Sequence, residues 1–166
     1  MGMYAVGTDV PVERSRAEIE KVLSKYGATQ FVSGTDSESG KAMIHFKAAR
    51  RCVRFILPLP DINSKEFQYA ATNQWDSSKK LRTPEKAYKA WEQACRAKWR
   101  ALCLCIKAKL EAVACGITEF DEEFLAHIVL PDQKTIGYHL KPQLDASYDT
   151  GKMPSLLMLE SPNGKK

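Results

Sequence analysis

The stretch KAYKAWEQACRAKWRALCLCIKAKLEAVACG, residues 86–116, carries the strongest structural signal in this 166-residue chain. Thr83 and Pro84 precede it, and a hydroxyl side chain followed by proline is typical of a helix start. At about 100° per residue, its apolar side chains line up in one continuous stripe. The stripe comprises Tyr88, Trp91, Cys95, Trp99, Leu102, Ile106, Leu110 and Val113. This pattern predicts a long amphipathic helix, ended by Gly116, whose tryptophans face the core or a partner.

The opposite side of the predicted helix is basic. Ten lysines and arginines lie between Lys79 and Lys109 against two glutamates, whereas the whole chain carries a formal charge of +5. Positive charge concentrated in one segment is typical of a phosphate-binding surface. We predict a nucleic-acid-binding surface formed by Lys79, Lys80, Arg82, Lys86, Lys89, Arg96, Arg100 and Lys107, with Arg54 and His45 adding to it. The alternative is a solvated basic face that only favours solubility.

Three segments before this helix alternate between apolar and polar residues, which indicates β-strands. They are TQFVSG (29–34), KAMIHFKA (41–48) and RCVRFILP (51–58). The turn at 35–40 and the link at 48–50 are short, so the strands should form an antiparallel meander. The face expected to pack on the helices carries Ile44, Phe46, Val53, Phe55 and Leu57. His45 and Arg54 are expected to lie near each other on the opposite face.

Helices are predicted on both sides of this central part. The first covers 15–26, where Ser15 and Glu18 have the spacing of a capping box. After Gly116, Thr118 is the expected cap of a helix that Pro131 stops. Its buried face would carry Phe120, Phe124, Leu125 and Ile128.

The remaining segments complete the expected architecture. Residues 66–70 could add a short strand, and 76–80 should be a polar loop. A last helix is expected over 135–148, and the tail 151–166 is expected to be partly disordered. The predicted fold class is α+β, with a helix, a three-stranded antiparallel meander, a long amphipathic helix and C-terminal helices. We expect one domain over residues 1–150.

The sequence contains no motif for a particular reaction. Cys103 and Cys105 are two positions apart, so on a helix they diverge by about 200° and cannot share a metal. A helix start explains the acidic cluster of Glu119, Asp121, Glu122 and Glu123, with a divalent-cation site as the alternative. Glycine-rich phosphate loops are absent from the sequence. We therefore expect no metal and no cofactor. A non-enzymatic role is favoured, with an enzyme whose catalytic residues are scattered along the sequence as the alternative.

The order helix, three antiparallel strands, helix resembles the double-stranded-RNA-binding domain in topology. In that domain the second helix begins with lysines that contact phosphates across a groove. The segment SSKKLRTPEK (77–86) occupies the corresponding place. The resemblance implies phosphate contacts at this helix start. The long helix and the connection at 61–78 depart from the domain's pattern.

A second resemblance covers most of the chain and rests on four segments. They are RSRAEIEKVLSKYGA (14–28), VRFILPLP (53–60), the run 96–132 and TGKMPSLL (150–157). In these segments the chain resembles a set of small uncharacterised proteins encoded by bacteriophages and prophages. The resemblance implies either the handling of nucleic acid in replication or recombination, or the binding of a host factor. It implies no site residues.

Three functional hypotheses follow. The first is a phage-encoded, non-enzymatic accessory protein that binds DNA or RNA. The second is a protein-interaction module that inhibits a host enzyme or an anti-phage defence complex, and the third is a binder of small anionic nucleotides. We expect a cytoplasmic protein of the bacterial host without membrane contact, because no apolar run approaches the ~20 residues of a membrane span. The five cysteines are expected to be reduced.

Overall fold

The structure is a computed structural model that describes residues 5–36, 38–70 and 80–153. The elements in chain order are α1 (Val12–Lys25), β1 (Gln30–Asp36), β2 (Lys41–Ala48), β3 (Arg51–Pro58), α2 (Lys65–Gln68), α3 (Pro84–Ala114), α4 (Phe120–Phe124) and α5 (Ile136–Thr150). A 3-10 turn, Leu125–His127, links α4 to the segment before α5. The predicted α+β class and order of elements are confirmed.

The three strands form one antiparallel sheet in the order β1-β2-β3. Phe46 pairs with Phe31 on one side and Val53 on the other, and these residues share the face that packs on the helices. His45 pairs directly with Arg54 on the opposite face, as the alternation predicts. The period-two pattern therefore fixes both the register and the face of each side chain.

The link between β2 and β3 is a two-residue turn made of Ala49 and Arg50. Both residues have positive φ, 47° and 63°, the combination found in type I′ hairpin turns. This turn fits the twist of the two strands. Neither residue is glycine or asparagine, so each adopts a conformation that is unfavourable for its side chain.

The core lies between the inner face of the sheet and the helices α1 and α3. Ile44, Phe46 and Val53 are fully buried there, and Trp99 and Ile106 of α3 pack against them. The stripe predicted for the long helix is buried along most of its length. At its first turns it leaves the core, because Tyr88 is 52% exposed and Trp91 is half-buried.

The start of the first helix differs from its prediction. The helix begins at Val12, one turn earlier, with Pro11 as its N-cap. The Pro11 carbonyl accepts a hydrogen bond from the Ser15 backbone N–H at 3.1 Å, so Ser15 is an interior helical residue and is fully buried. The Ser15–Glu18 capping box is wrong. The side chain of Glu18 bonds to α3 instead.

The segment after α3 also differs from its prediction. Glu119, and not Thr118, caps α4, which is only five residues long. After the 3-10 turn Leu125–His127 the chain becomes extended, and the Val129 N–H donates to the Cys52 carbonyl at 2.8 Å along the outer edge of β3. Hydrogen bonds along this strand edge replace the helix that the apolar spacing predicts. Leu125, predicted to be buried, is 46% exposed.

Two smaller predictions concern the connections. Residues 66–70 do not form a strand, because α2 occupies 65–68, although Tyr69 makes an isolated bridge to Leu81. The predicted loop residues 76–79 and the tail from residue 154 onwards lie outside the described residues. Within the described ranges, no helix combines the length and apolar character needed to cross a membrane.

Candidate nucleic-acid interface

Five of the predicted phosphate-binding residues lie along one flank of α3. They are Lys86, Lys89, Arg96, Arg100 and Lys107. Their spacings of three, seven, four and seven positions keep them on one side of the helix. Lys86 and Lys89 are exposed, and among the described residues they have no ion-pair partner. Within the described ranges, these two lysines are the exposed members of the flank that no carboxylate neutralises.

The other three members of the flank are held by carboxylates. Arg96 pairs with Glu92 at 3.1 Å, Arg100 pairs with Glu18 at 2.5 Å, and the Lys107 ammonium lies 3.5 Å from the same Glu18. The hydrogen bond donated by Arg100 holds the pKa of Glu18 below its usual value. Glu18 is therefore ionised at neutral pH and partly neutralises this section of the flank.

The contact between Glu18 and α3 brings a second basic row into place. In α1, Arg14 lies four positions before Glu18, and Lys21 and Lys25 lie three and seven positions after it. At these helical spacings, all three residues share the face of α1 that carries Glu18. All three are exposed. Because this face meets α3 at Arg100 and Lys107, the two rows lie side by side. We call the eight residues the two-helix basic surface: Arg14, Lys21 and Lys25 of α1 with Lys86, Lys89, Arg96, Arg100 and Lys107 of α3.

A second contact fixes the far end of this surface. The Tyr26 hydroxyl donates a hydrogen bond to the Glu111 carboxylate, and the Lys25 ammonium lies 5.1 Å from the centre of the Tyr26 ring. That hydrogen bond lowers the pKa of Glu111, with Lys25 and Lys107 adding to the effect. With Glu18 contacting Arg100 and Tyr26 contacting Glu111, α1 and α3 run in the same direction.

Sequence reasoning missed the contribution of α1. Arg14, Lys21 and Lys25 are distant in sequence from the basic stretch, and α1 also carries acidic residues. The signal that could have identified them is their common helical spacing around Glu18. Which face of α1 meets α3 depends on tertiary packing, which a single helical wheel cannot provide.

The remaining predicted residues lie elsewhere. Arg82 donates to the carbonyls of Glu66 and Phe67 at 2.8 and 3.0 Å, so it fixes the chain before α3 onto α2. Lys80 is exposed and its carbonyl accepts from the Ala70 N–H. Lys79 lies outside the described residues.

His45 and Arg54 are on the outer face of the sheet, away from α1 and α3. Burial lowers the pKa of His45, and the facing Arg54 adds to this. Arg54 donates to the Gln133 carbonyl at 2.8 Å, which fixes its side chain to the segment before α5. The structure therefore does not bring these two residues together with the two-helix basic surface.

The candidate metal ligands have structural partners. Asp121 pairs with Arg51 at 2.6 Å, Glu123 pairs with Lys109 at 2.7 Å, and the Glu122 side chain forms a capping box with Glu119. Cys103 is buried and Cys105 is exposed, in agreement with their predicted divergence. Among residues 5–36, 38–70 and 80–153, no group of three metal-ligating side chains converges.

Comparison with models of protein families, with curated proteins and with solved structures gives no match for this chain. The resemblances to phage-encoded proteins and to double-stranded-RNA-binding domains stay predictions.

Proposed function

We propose that this protein is a non-enzymatic accessory protein that binds DNA or RNA through the two-helix basic surface. The observation that supports this most strongly is the alignment of Arg14, Lys21 and Lys25 beside the basic flank of α3. Two parallel rows of cations suit the two phosphate strands that border a groove better than one row does. The phage origin implied by the resemblance belongs to the same proposal.

The length of the surface agrees with a duplex ligand. Lys86 and Lys107 are separated by 21 positions of continuous helix. At 1.5 Å per residue this distance is about 32 Å, close to the ~34 Å repeat of a double helix. Lys86 and Lys89 would contact one end of the site, and Lys25 and Lys107 the other. The eight residues of the two-helix basic surface are all lysines and arginines. Contacts from such residues to phosphates carry no sequence information, so sequence-independent binding is expected.

Fluorescence anisotropy with labelled 20-base single and duplex DNA and RNA, at 50 and 200 mM salt, tests the proposal. We expect duplex binding that weakens at least tenfold over this salt range. The double substitution Lys86→Glu/Lys89→Glu should weaken binding at 50 mM salt by at least tenfold.

The matched control is Lys134→Glu/Lys152→Glu, which makes the same charge change on exposed C-terminal residues. We expect this control to bind within about threefold of wild type. Equal losses in both double variants, or no binding at 50 mM salt, would overturn the proposal. A protein partner captured by a variant that has lost nucleic-acid binding would support the interaction-module hypothesis in its place.

A further inference from the structure

A cleft of about 1090 Å³ lies at the end of the core where α3 extends past the start of α1. Its walls are the first residues of α1, the turn between β1 and β2, the segment 58–63 after β3, and the first half of α3. The two-helix basic surface borders it at Arg96. The cleft is distinct from that surface in both shape and charge.

Aromatic side chains form one wall of the cleft. The rings of Tyr88 and Trp91 have centroids 5.5 Å apart and are tilted by 44°. The indole N–H of Trp91 donates to the Pro60 carbonyl at 2.8 Å, which fixes this ring in place. Tyr88 is 52% exposed although it stands in the apolar stripe of α3. Exposed ring faces at the wall of a cleft are suitable for a cation and its aliphatic stem.

The charge of the cleft is opposite to that of the chain. Its lining contains five carboxylates against two basic side chains, whereas the whole chain carries +5. The carboxylates are Glu13, Asp36, Glu38, Asp61 and Glu92, and the basic residues are Lys41 and Arg96. Hydrogen bonds from Ser39 lower the pKa of Asp36, which keeps this carboxylate ionised. A phosphate would be repelled here, and a cation attracted.

We propose that this cleft binds a peptide segment of a partner protein through an arginine or lysine side chain. The aliphatic stem lies on Tyr88 and Trp91, and the charged end faces the carboxylates. A peptide is favoured over a small cation because the cleft is large and half-open, and because Pro58, Leu59 and Ile62 continue its apolar wall. This site goes beyond nucleic-acid binding and does not depend on it.

Isothermal titration calorimetry of the full chain tests the ligand class. The probe is an acetylated, amidated hexapeptide of alternating arginine and alanine. The comparison peptide replaces arginine with citrulline, which has nearly the same shape without the charge. We expect the arginine peptide to bind about tenfold more tightly than the citrulline peptide, and than spermidine. Equal affinity for the two peptides would overturn the proposal. If spermidine binds as tightly as the arginine peptide, the cleft binds small cations in general, and the assignment of a peptide as its ligand is overturned.

Substitutions locate the site. Glu13→Gln/Asp61→Asn removes two charges from the cleft, and asparagine retains the oxygen that accepts from the Asn63 N–H. We expect this double variant to bind the arginine peptide at least fivefold more weakly than wild type. Glu20→Gln/Asp149→Asn, the matched control on exposed positions, should stay within about twofold. Equal weakening in both double variants would place the peptide outside the cleft and contradict the proposal.

Two further variants separate this site from the proposed function. Tyr88→Ala should weaken binding of the arginine peptide. The variant should stay folded, because Tyr88 is 52% exposed. Lys86→Glu/Lys89→Glu should not weaken peptide binding, because it adds negative charge beside an acidic cleft, while it weakens nucleic-acid binding. Peptide binding lost together with nucleic-acid binding in that variant would show a single shared site, contrary to this proposal.

Discussion

Glu18 has two effects at the scale of one residue. Its carboxylate joins α1 to α3 through Arg100 and Lys107, and it also competes with any phosphate for those two cations. The side chain is 28% exposed, so the ion pair is shielded only in part. Such pairs contribute about 1 kcal/mol or less to stability. The removal of this charge should therefore change binding more visibly than folding.

Glu18→Gln is expected to lower the free energy of unfolding by about 1 kcal/mol or less and to tighten nucleic-acid binding at low salt. The slope of log Kd against log salt should steepen, because more of the surface becomes accessible to phosphates. Anisotropy titrations at several salt concentrations measure both quantities.

Glu20→Gln is the matched control, since Glu20 is exposed on the same helix and has no ion-pair partner within the described residues. It changes the net charge equally. If both variants tighten binding to the same extent, the effect is one of net charge alone and not of the Glu18 contact.

His127 makes stability depend on pH. Its ring stacks on Phe55 with centroids 4.0 Å apart, and burial lowers its pKa, with nearby Lys109 adding to the effect. The unfolded chain then binds a proton more readily than the folded chain below a pH of about 6.5. Stability should fall as the pH is lowered from 7.5 to 5.

The variant His127→Phe keeps an aromatic ring against Phe55 but has no group that titrates. It should therefore reduce the dependence of the melting temperature on pH. The lowered pKa of His45 acts in the same direction, so His45→Gln/His127→Phe should flatten it further. Carboxylates with lowered pKa values affect stability only at more acidic pH. An unchanged slope between pH 7.5 and 5 in the double variant would contradict the assignment.

At the scale of elements, α5 has few contacts with the rest of the protein. None of its side chains is buried, and it packs chiefly on the 3-10 turn Leu125–His127. Gly137 makes this approach possible, because a Cβ built at that position would lie 2.7 Å from the Ala126 carbonyl oxygen. The contact with backbone leaves little room for adjustment.

Gly137→Ala should therefore weaken the docking of α5 and cost about 1–3 kcal/mol. Hydrogen exchange should become faster in α5 and remain unchanged in β2. Gly34→Ala is the control, since a Cβ at Gly34 in β1 meets no atom within 4 Å. Its effect should stay within about 1 kcal/mol. Similar losses in both variants would show that backbone freedom, and not the Ala126 contact, is responsible.

The elements also show what local sequence can and cannot predict. The bounds of β2 and β3 agree with the sequence prediction, because alternation and a two-residue link leave little freedom of register. The start of α1 was missed because Ser15 satisfies a local capping rule that burial overrides. Val129 was placed in a helix because its hydrogen-bond partner, Cys52, is remote in sequence. Both errors come from contacts between distant segments.

At the scale of the molecule, charge is sorted into two adjacent regions of opposite sign, which meet at Arg96. The two-helix basic surface combines residues from α1 and α3, and the acidic cleft combines four separate segments. The sequence predicted the basic flank of α3, since that row lies in one stretch. The α1 row and the cleft could not be predicted, because each depends on which segments pack side by side.

Phe124 connects the C-terminal elements to the sheet. Its ring meets those of Phe46 and Phe55 edge-on, with centroids 6.0 and 6.3 Å away, and it is fully buried. Phe124→Ala should cost about 3–5 kcal/mol. Urea unfolding of the variant and of the wild type measures this loss. Circular dichroism and tryptophan fluorescence should change at the same urea concentration, because the C-terminal elements and the sheet are expected to unfold together.

The neighbouring Leu125→Ala is the control for Phe124. Leu125 is 46% exposed, so its loss should cost about 1 kcal/mol or less. Comparable losses at the two positions would contradict the orientation of α4.

The turn of Ala49 and Arg50 has a consequence for folding kinetics. Ala49 and Arg50 both adopt the left-handed backbone conformation, which glycine and asparagine tolerate better. Each therefore opposes closure of the hairpin between β2 and β3 by about 1 kcal/mol. The hairpin should then close only as Phe46 and Phe55 are covered, and the barrier to folding should include the turn. Ala49→Asn/Arg50→Gly should speed refolding in stopped-flow experiments and leave the unfolding rate nearly unchanged. A change confined to the unfolding rate would place turn formation after the transition state.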